Sequence, residues 1–96
     1  MNLDAMTLEK INQVLKQETK IKKVLLFGSR AKGTAKKSSD IDLAIVGDDL
    51  NFRDICRFGM KLDELDLPYK IDIVDYNAIT NLELKEHIDR VFVPLG

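Results

Sequence analysis

The spacing of apolar and polar residues predicts a helix followed by a buried strand in the first third of the chain. Four apolar residues near the N-terminus recur every three or four positions, as on one face of an amphipathic helix. They are Leu8, Ile11, Val14 and Leu15. Asp4 or Thr7 is positioned to cap this helix. The continuous apolar run 24–27 then stops at a glycine, which is typical of a buried strand bounded by a turn.

Two further strands are predicted in the middle of the chain. Ile41, Leu43 and Ile45 share one face of the first, because alternate residues of a strand point to the same side. The second covers residues 69–74, a run that is rich in β-branched and aromatic side chains. These strands and the apolar run before them predict a small sheet.

A helix is expected between these two strands, from about residue 51 to 65. Asn51 and Asp54 have the spacing of a capping box at its start. Four of its residues are predicted to form the stripe that faces the core. They are Phe52, Ile55, Gly59 and Leu62. The lone cysteine, Cys56, is expected to pack in the same helix as a small apolar residue.

The last helix begins with Thr80 and Glu83 at capping-box spacing. Its inward-facing residues are predicted to be Leu84, Ile88 and Val91. A short edge strand is expected over residues 91–93. The whole pattern predicts an α/β fold, in which a small mixed sheet is flanked by helices within a single domain over residues 1–96.

Composition is that of an ordinary small globular domain. Of the 96 residues, 45% are hydrophobic and 32% are charged, and the formal net charge is −1. This balance gives no indication of autonomous nucleic-acid binding or membrane binding. No apolar run approaches the length of a membrane span, and no signal peptide is recognisable, so the expected location is the cytoplasm.

The turn after the first strand has the first chemical signature in the chain. Gly28 allows the backbone to turn sharply and to approach a ligand closely. Ser29 offers a hydroxyl and an amide at the start of a short helix, where free N–H groups favour an anion such as phosphate. Both residues are therefore candidates for phosphate binding.

Two aspartates stand at the start of the second strand. Asp40 and Asp42 lie at positions i and i+2, so their carboxylates project from the same face. A solvated strand face is the simpler interpretation, but this face continues with Ala44 and Val46, which are apolar. A Mg²⁺ site fits better, because Mg²⁺ prefers a few carboxylates together with water and substrate phosphates.

A third acid lies in the predicted strand over residues 69–74. Asp72 joins the pair if its strand lies beside that of Asp40 and Asp42. Three carboxylates this close repel one another unless divalent cations neutralise them. Two metal ions about 3.5–4 Å apart would hold the attacking and leaving oxygens of a phosphoryl or nucleotidyl displacement. Asp75 has odd spacing from Asp72 and is expected to face the other way and end the strand.

The segment 30–37 contains basic residues and no acidic residue. Their position between the serine and the aspartates favours contacts of Arg30 and Lys32 with a triphosphate, although a solvated loop accounts for the charges equally well. Lys36 and Lys37 are expected to be surface charges or contacts to an acceptor.

The P-loop and the EF-hand are excluded, because positions that each motif requires hold unsuitable residues. A P-loop needs a lysine after its second glycine, but Thr34 and Ala35 follow Gly33. An EF-hand needs oxygen ligands where Ala44 and Val46 stand. The only histidine, which lies in the last helix, receives no chemical role from the sequence.

Taken together, Gly28-Ser29, Asp40-Ile41-Asp42 and Asp72 resemble the nucleotidyltransferase superfamily that includes DNA polymerase β. The resemblance is greatest to the minimal nucleotidyltransferases of prokaryotes and covers nearly the whole chain. It implies a polymerase β-like fold, with Gly28 and Ser29 holding the β- and γ-phosphates of a nucleotide. It also implies that Asp40 and Asp42 bind two Mg²⁺ ions, and that Asp72 binds one of them and helps to activate an acceptor hydroxyl.

The same resemblance implies a partner and a substrate. The partner is a HEPN-type toxin, and the chain is then the antitoxin that transfers a nucleoside monophosphate, AMP from ATP in the first instance, to a hydroxyl of that toxin. The alternative is a non-catalytic antitoxin or binding module that neutralises its partner by complex formation. A homo- or hetero-oligomer is compatible with both hypotheses. The intact set of three aspartates favours activity. An antibiotic-modifying transferase is less favoured, because it would need an acceptor-binding domain.

Overall fold

One four-stranded sheet with helices on both faces forms the centre of the molecule, in a computed structural model that describes residues 3–95. The elements in chain order are α1 (Ala5–Lys16), β1 (Ile21–Phe27), α2 (Gly28–Lys32), β2 (Ile41–Gly47), α3 (Phe52–Asp63), β3 (Ile71–Asp75), a 3₁₀ turn (Tyr76–Ala78), α4 (Leu82–Val91) and β4 (Val93–Leu95). The prediction of a small mixed sheet flanked by helices is confirmed.

The strand order of the sheet is β3-β2-β1-β4. β1 runs antiparallel to both of its neighbours, β2 and β4, whereas β2 and β3 are parallel. A parallel pair needs a long crossover connection, and α3 supplies it. β3 is thereby placed at one edge of the sheet, with β4 at the other.

The two faces of the sheet carry two separate apolar clusters. The larger cluster joins α1 and α3 to one face, with Ile11, Leu26, Leu43 and Phe58 fully buried in it. The smaller cluster lies under α4 on the opposite face. Its buried members are Leu25, Phe27, Ala44 and Ile88. Because strand residues alternate between faces, Asp42 and Asp72 project on the α4 side together with Ala44 and Val74.

Helix caps follow the sequence closely in two cases and differ in one. Asp4 caps α1 by accepting a hydrogen bond from the Thr7 amide at 2.8 Å. Asn51 and Asp54 form the expected reciprocal capping box of α3, with both bonds 3.0 Å long. The predicted cap of α4 is wrong, since Asn81 rather than Thr80 accepts from the amide three residues later.

Two predictions about α3 are also wrong. Phe52 is 80% exposed rather than part of the core stripe, because it begins the helix beside the edge strand β3, where no further layer covers it. Cys56 lies on the solvent side of the same helix and is exposed rather than packed. The stripe that faces the core contains Ile55, Phe58 and Leu62.

The remaining differences concern where strands begin. β1 begins at Ile21 instead of residue 24, and Lys22 and Lys23 are exposed strand residues. β3 begins at Ile71 instead of residue 69, and β4 covers Val93–Leu95 instead of residues 91–93. Across residues 3–95, no helix is long and apolar enough to cross a membrane.

Candidate active site

The turn after β1 can be made only by a residue without a side chain. Gly28 has a φ of +74°, which is the left-handed region that favours glycine. In addition, a Cβ atom on Gly28 would collide with Oδ2 of Asp42 on the neighbouring strand. The glycine therefore brings the backbone of the turn into direct contact with the carboxylate, as the sequence led us to expect of a residue that allows close approach.

The sheet register assembles the candidate carboxylates. Asp42 is the second residue of β2, and its Cα partner on the parallel strand β3 is Asp72. Asp40 comes just before β2 and is half-buried. On the other side, Phe27 is the Cα partner of Asp42. A single row across three strands thus runs from Phe27 through Asp42 to Asp72, directly beside the Gly28 turn.

Mutual repulsion and burial act on the central carboxylate of this row. Burial raises the pKa of Asp42 above its ordinary value, and the nearby charges of Asp72 and Asp40 raise the pKa further. In the described part of the chain, neither Asp40 nor Asp42 has a salt bridge to Lys or Arg. Asp72 lies 3.7 Å from the exposed ammonium of Lys70. The row therefore contains negative charge that the chain itself neutralises only in part.

The chemistry of the donors fits Mg²⁺, although the side chains are not gathered around a point. Within residues 3–95, no three His, Cys, Asp or Glu side chains stand close enough together to hold a metal ion as they are. Asp40, Asp42 and Asp72 supply oxygen atoms of the kind that Mg²⁺ prefers, from one end of two adjacent strands.

His87 belongs to this site, which the sequence did not indicate. It is half-buried on α4, and its ring meets the ring of Phe27 edge to face, with centroids 6.2 Å apart. Its charge opposes the upward shift in the pKa of Asp42. The sequence contained one weak indication of this position. His87 stands three residues after Leu84, on the side of α4 that packs on the sheet.

Arg30 has a structural role that the sequence did not reveal. The residue is only 5% exposed, and its guanidinium donates to the carbonyl of Ser39 at 2.8 Å and 3.1 Å. It also donates to the carbonyls of Lys36 and Lys37, both at 3.4 Å, and lies 4.5 Å from the centre of the Tyr69 ring. Arg30 thus holds the loop that leads into Asp40, and its contact with a triphosphate stays a prediction.

The other predicted phosphate contacts occupy the short helix α2. Ser29 is half-buried in its first turn, and Lys32 is exposed at its last residue. Since α2 has only five residues, its dipole contributes little, and the amides of the turn are the relevant donors. The roles of Ser29 and Lys32 remain predictions.

Comparison with known proteins agrees with this geometry. The family model described as "Polymerase beta, Nucleotidyltransferase" matches residues 9–92, which is most of the chain. The chain belongs to this nucleotidyltransferase family. A Haemophilus influenzae protein named "Probable protein adenylyltransferase MntA" is 39% identical over 84 residues, covering 86% of this chain and 73% of that protein. The expected family and enzyme class are thereby confirmed.

Chains of solved structures share the fold of this protein. A chain of a structure described as a toxin–antitoxin with AMP-PNP superposes with a TM-score of 0.76 at 28% identity, covering 93% of this chain and 72% of that chain. A chain from a complex of tri-AMPylated Shewanella oneidensis HEPN toxin with MNT antitoxin gives a TM-score of 0.71 at 24% identity, covering 95% and 70%. At that identity, the second likeness bears on the fold alone.

Proposed function

We propose that this nucleotidyltransferase transfers AMP from ATP, with Mg²⁺, to a hydroxyl group of a partner toxin and thereby acts as its antitoxin. The observation that carries the proposal is the register of β2 and β3, which sets Asp42 beside Asp72 next to the Gly28 turn. Two carboxylates on adjacent strands and a backbone turn at their side are what a triphosphate with its cations requires.

The proposed reaction is a displacement at the α-phosphorus of ATP. The acceptor oxygen forms a bond to that phosphorus, and the bond between the α-phosphorus and the oxygen bridging to the β-phosphorus breaks. Pyrophosphate leaves with the electron pair of the broken bond, while the proton of the acceptor hydroxyl passes to a carboxylate and then to water. The protein contributes little covalent chemistry to this step. Positioning of the substrates and neutralisation of their charge therefore account for most of the rate enhancement.

Each site residue has a proposed part in this step. The backbone at Gly28 and Ser29 holds the β- and γ-phosphates, since only a glycine permits the approach seen at Asp42. Asp40 and Asp42 would hold both metal ions, and Asp72 would hold one. Asp72 is also the proposed group that accepts the hydroxyl proton, because its side chain is 46% exposed and therefore open to an incoming acceptor.

When bound, Mg²⁺ would neutralise the phosphates and orient the attacking and leaving oxygens. Arg30 would act from a distance, by keeping the loop before Asp40 in place. Lys32, exposed at the end of α2, is the proposed cationic contact to the outer phosphates. The reaction is proposed for the cytoplasm, which supplies both ATP and Mg²⁺.

The choice of adenylate and of a toxin acceptor draws on the relatives. The Haemophilus influenzae protein carries the name of a protein adenylyltransferase, and the chain covers nearly three quarters of its length. The structure at 28% identity is a toxin–antitoxin that contains AMP-PNP, an ATP analogue. Together with the HEPN-type partner implied by the sequence resemblance, these likenesses support a toxin hydroxyl as the acceptor.

The direct test is to weigh the partner before and after reaction. The chain is incubated with its co-expressed HEPN-type toxin, Mg²⁺ and each nucleoside triphosphate in turn, and both proteins are measured by intact mass spectrometry. We expect the toxin to gain one or more AMP masses with ATP. The same mixture with Asp40→Asn/Asp42→Asn should leave the toxin mass unchanged.

The alternative has its own signature in this experiment. If the toxin mass never changes, and toxin activity is still blocked by the Asp40→Asn/Asp42→Asn variant, the chain neutralises its partner by complex formation alone. That result would overturn the proposed transfer.

A further inference from the structure

We infer that the acceptor segment of the partner protein binds to this chain as an added strand along the open edge of β3. The inference rests on the proposed function for the identity of the partner, but its structural basis is separate. It concerns the edge strand, the groove beside it and the row of carboxylates that ends on it.

The outer edge of β3 presents unused main-chain hydrogen-bonding groups. Within residues 3–95, β3 pairs with β2 alone and ends the sheet. The Lys70 carbonyl points towards β2, where it accepts from the Ile41 amide at 2.9 Å. Main-chain groups alternate in direction along a strand, so those of Ile71 and Ile73, together with the amide of Asp75, point away from β2. An extended segment of another protein can pair with them.

An apolar groove of about 470 Å³ follows the same edge. Phe52 and Ile55 of α3 form one wall, and Ile79 and Leu84 form the other. Among the residues that line the groove, Asp75 alone is charged. Phe52 is 80% exposed, so its ring is available to a ligand. Apolar walls without Lys or Arg suit the side chains of an extended polypeptide and do not suit a nucleic-acid backbone.

The groove lies next to the carboxylates of the candidate active site. Val74 lines it and lies two residues, about 7 Å, from Asp72 along the strand. The row from Phe27 through Asp42 to Asp72 continues onto any strand added at this edge. A residue in register with Asp72 would stand about 5 Å away, with its side chain on the same face. A serine, threonine or tyrosine at that position would present its hydroxyl beside the proposed proton acceptor.

Hydrogen exchange tests the added strand directly. The chain alone and its complex with the co-expressed HEPN-type toxin are compared by exchange and mass spectrometry. We expect the amides of Ile71, Ile73 and Asp75 to exchange at least about tenfold more slowly in the complex. The amides of β2, a strand that lies between β1 and β3, serve as the internal reference. A complex that leaves residues 71–75 unprotected, or a toxin that forms no complex, overturns the inference.

A pair of exposed apolar residues on α3 provides matched variants. Phe52→Asp places a charge in the groove wall, at a first-turn position where an acid is compatible with the helix. Met60→Asp changes a residue that is 66% exposed on the same helix but lies outside the groove. We expect Phe52→Asp to raise the KM for the toxin at least about tenfold, with kcat and ATP affinity unchanged, and Met60→Asp to alter none of them.

Failure of this inference is distinguishable from failure of the proposed function. Binding of ATP with Mg²⁺, measured by calorimetry, and AMP transfer report on the carboxylate site, whereas exchange at β3 reports on docking. Slowed exchange without any transfer would leave the added strand intact and overturn the transfer. Equal increases in the KM for the toxin with Phe52→Asp and Met60→Asp would place the docking surface on the outer face of α3.

If the free chain forms a dimer that Phe52→Asp dissociates, the groove binds a second copy of the chain. Either result overturns the inference.

Discussion

Two groups of carboxylates in this small chain are built in opposite ways. Asp42 and Asp72 lie side by side near the start of two parallel strands, with Asp40 just before the first, and burial and the nearby charges raise the pKa of Asp42. Glu18 and Asp54 lie where the segment before β1 meets α3, and each forms ion pairs with two cations, of which Arg57 is shared. The first group is referred to below as the carboxylate row and the second as the ion-pair cluster.

The ion-pair cluster is complete without any ligand. Asp54 accepts from Lys20 at 2.5 Å and from Arg57 at 3.0 Å, and it also closes the capping box of α3. Glu18 pairs with Arg57 at 2.9 Å and with Lys61. The hydrogen bond from Lys20 contributes most to lowering the pKa of Asp54, which falls to about 2.

The contrast shows how local partners decide what a carboxylate can do. Both groups consist of carboxylates, yet the pKa of Asp42 is raised while the pKa values of Asp54 and Glu18 are lowered. A carboxylate that is already paired stabilises the fold and has little to offer a ligand. The carboxylate row is destabilised by repulsion and gains from an added cation, which is the property that a binding site for a metal–nucleotide complex needs.

The largest effect is expected from Asp42→Asn, which removes charge from the centre of the carboxylate row. AMP transfer should fall at least about 10³-fold, because the metal–triphosphate complex loses its central ligand. The free energy of unfolding should stay the same or increase, since repulsion with Asp40 and Asp72 is relieved. Transfer assays and urea unfolding measure the two quantities. A variant that unfolds more easily would show that Asp42 supports the fold instead.

Addition of Mg²⁺ should stabilise the native chain. A ligand that binds only the folded state at ten times its Kd adds about 1.4 kcal/mol to the free energy of unfolding. We expect a higher midpoint of thermal unfolding with Mg²⁺ than with EDTA. Asp42→Asn should lose this difference, whereas Asp54→Asn should keep it. Equal responses of the two variants would show that Mg²⁺ does not act at the carboxylate row.

A change in the ion-pair cluster should affect stability without affecting chemistry. Asp54→Asn removes the charge that Lys20 and Arg57 share and weakens the capping box. The midpoint of thermal unfolding should fall by several degrees. At a temperature where the variant remains folded, its kcat for AMP transfer should equal that of the native chain. Asp63→Asn, a change at an exposed position on the same helix, serves as the matched control.

The smallest expected effect is a difference in acid stability. Asp54 has a pKa of about 2 in the folded chain and an ordinary value of 3.8, so its contribution is fully present above about pH 4. That contribution is lost as the pH falls from 4 towards 2. Urea unfolding at a series of pH values should show a shallower decline for Asp54→Asn than for the native chain over this interval. Parallel declines would contradict the depressed pKa.

The parts of the site that sequence predicts are those fixed by short-range geometry. The alternation of strand side chains separates Asp42 from the core residues Ile41 and Leu43, and Gly28 ends an apolar run where the chain must turn. Asp72 could be named as a candidate from its own strand pattern. Its place beside Asp42 depended on the strand order, which the residues of one strand do not determine.

Other features depended on contacts between distant segments. His87 reaches the site only because α4 packs across the sheet, and a lone histidine on a helix carries no sign of that. Arg30 looks like one of several loop cations, but hydrogen bonds to main-chain carbonyls bury it. Phe52 fits the helical period of the core stripe and is exposed because the sheet ends beside it.

The two edges of the sheet differ in a way that limits how copies of the chain can polymerise. β4 has three residues, and Pro94 at its centre has no N–H to donate, so this edge resists further strand addition. β3 offers the opposite edge. If two copies joined through β3, the outer edges of the combined sheet would both be β4, and growth would stop at two. An exposed edge strand can therefore be retained without opening a route to an extended fibre.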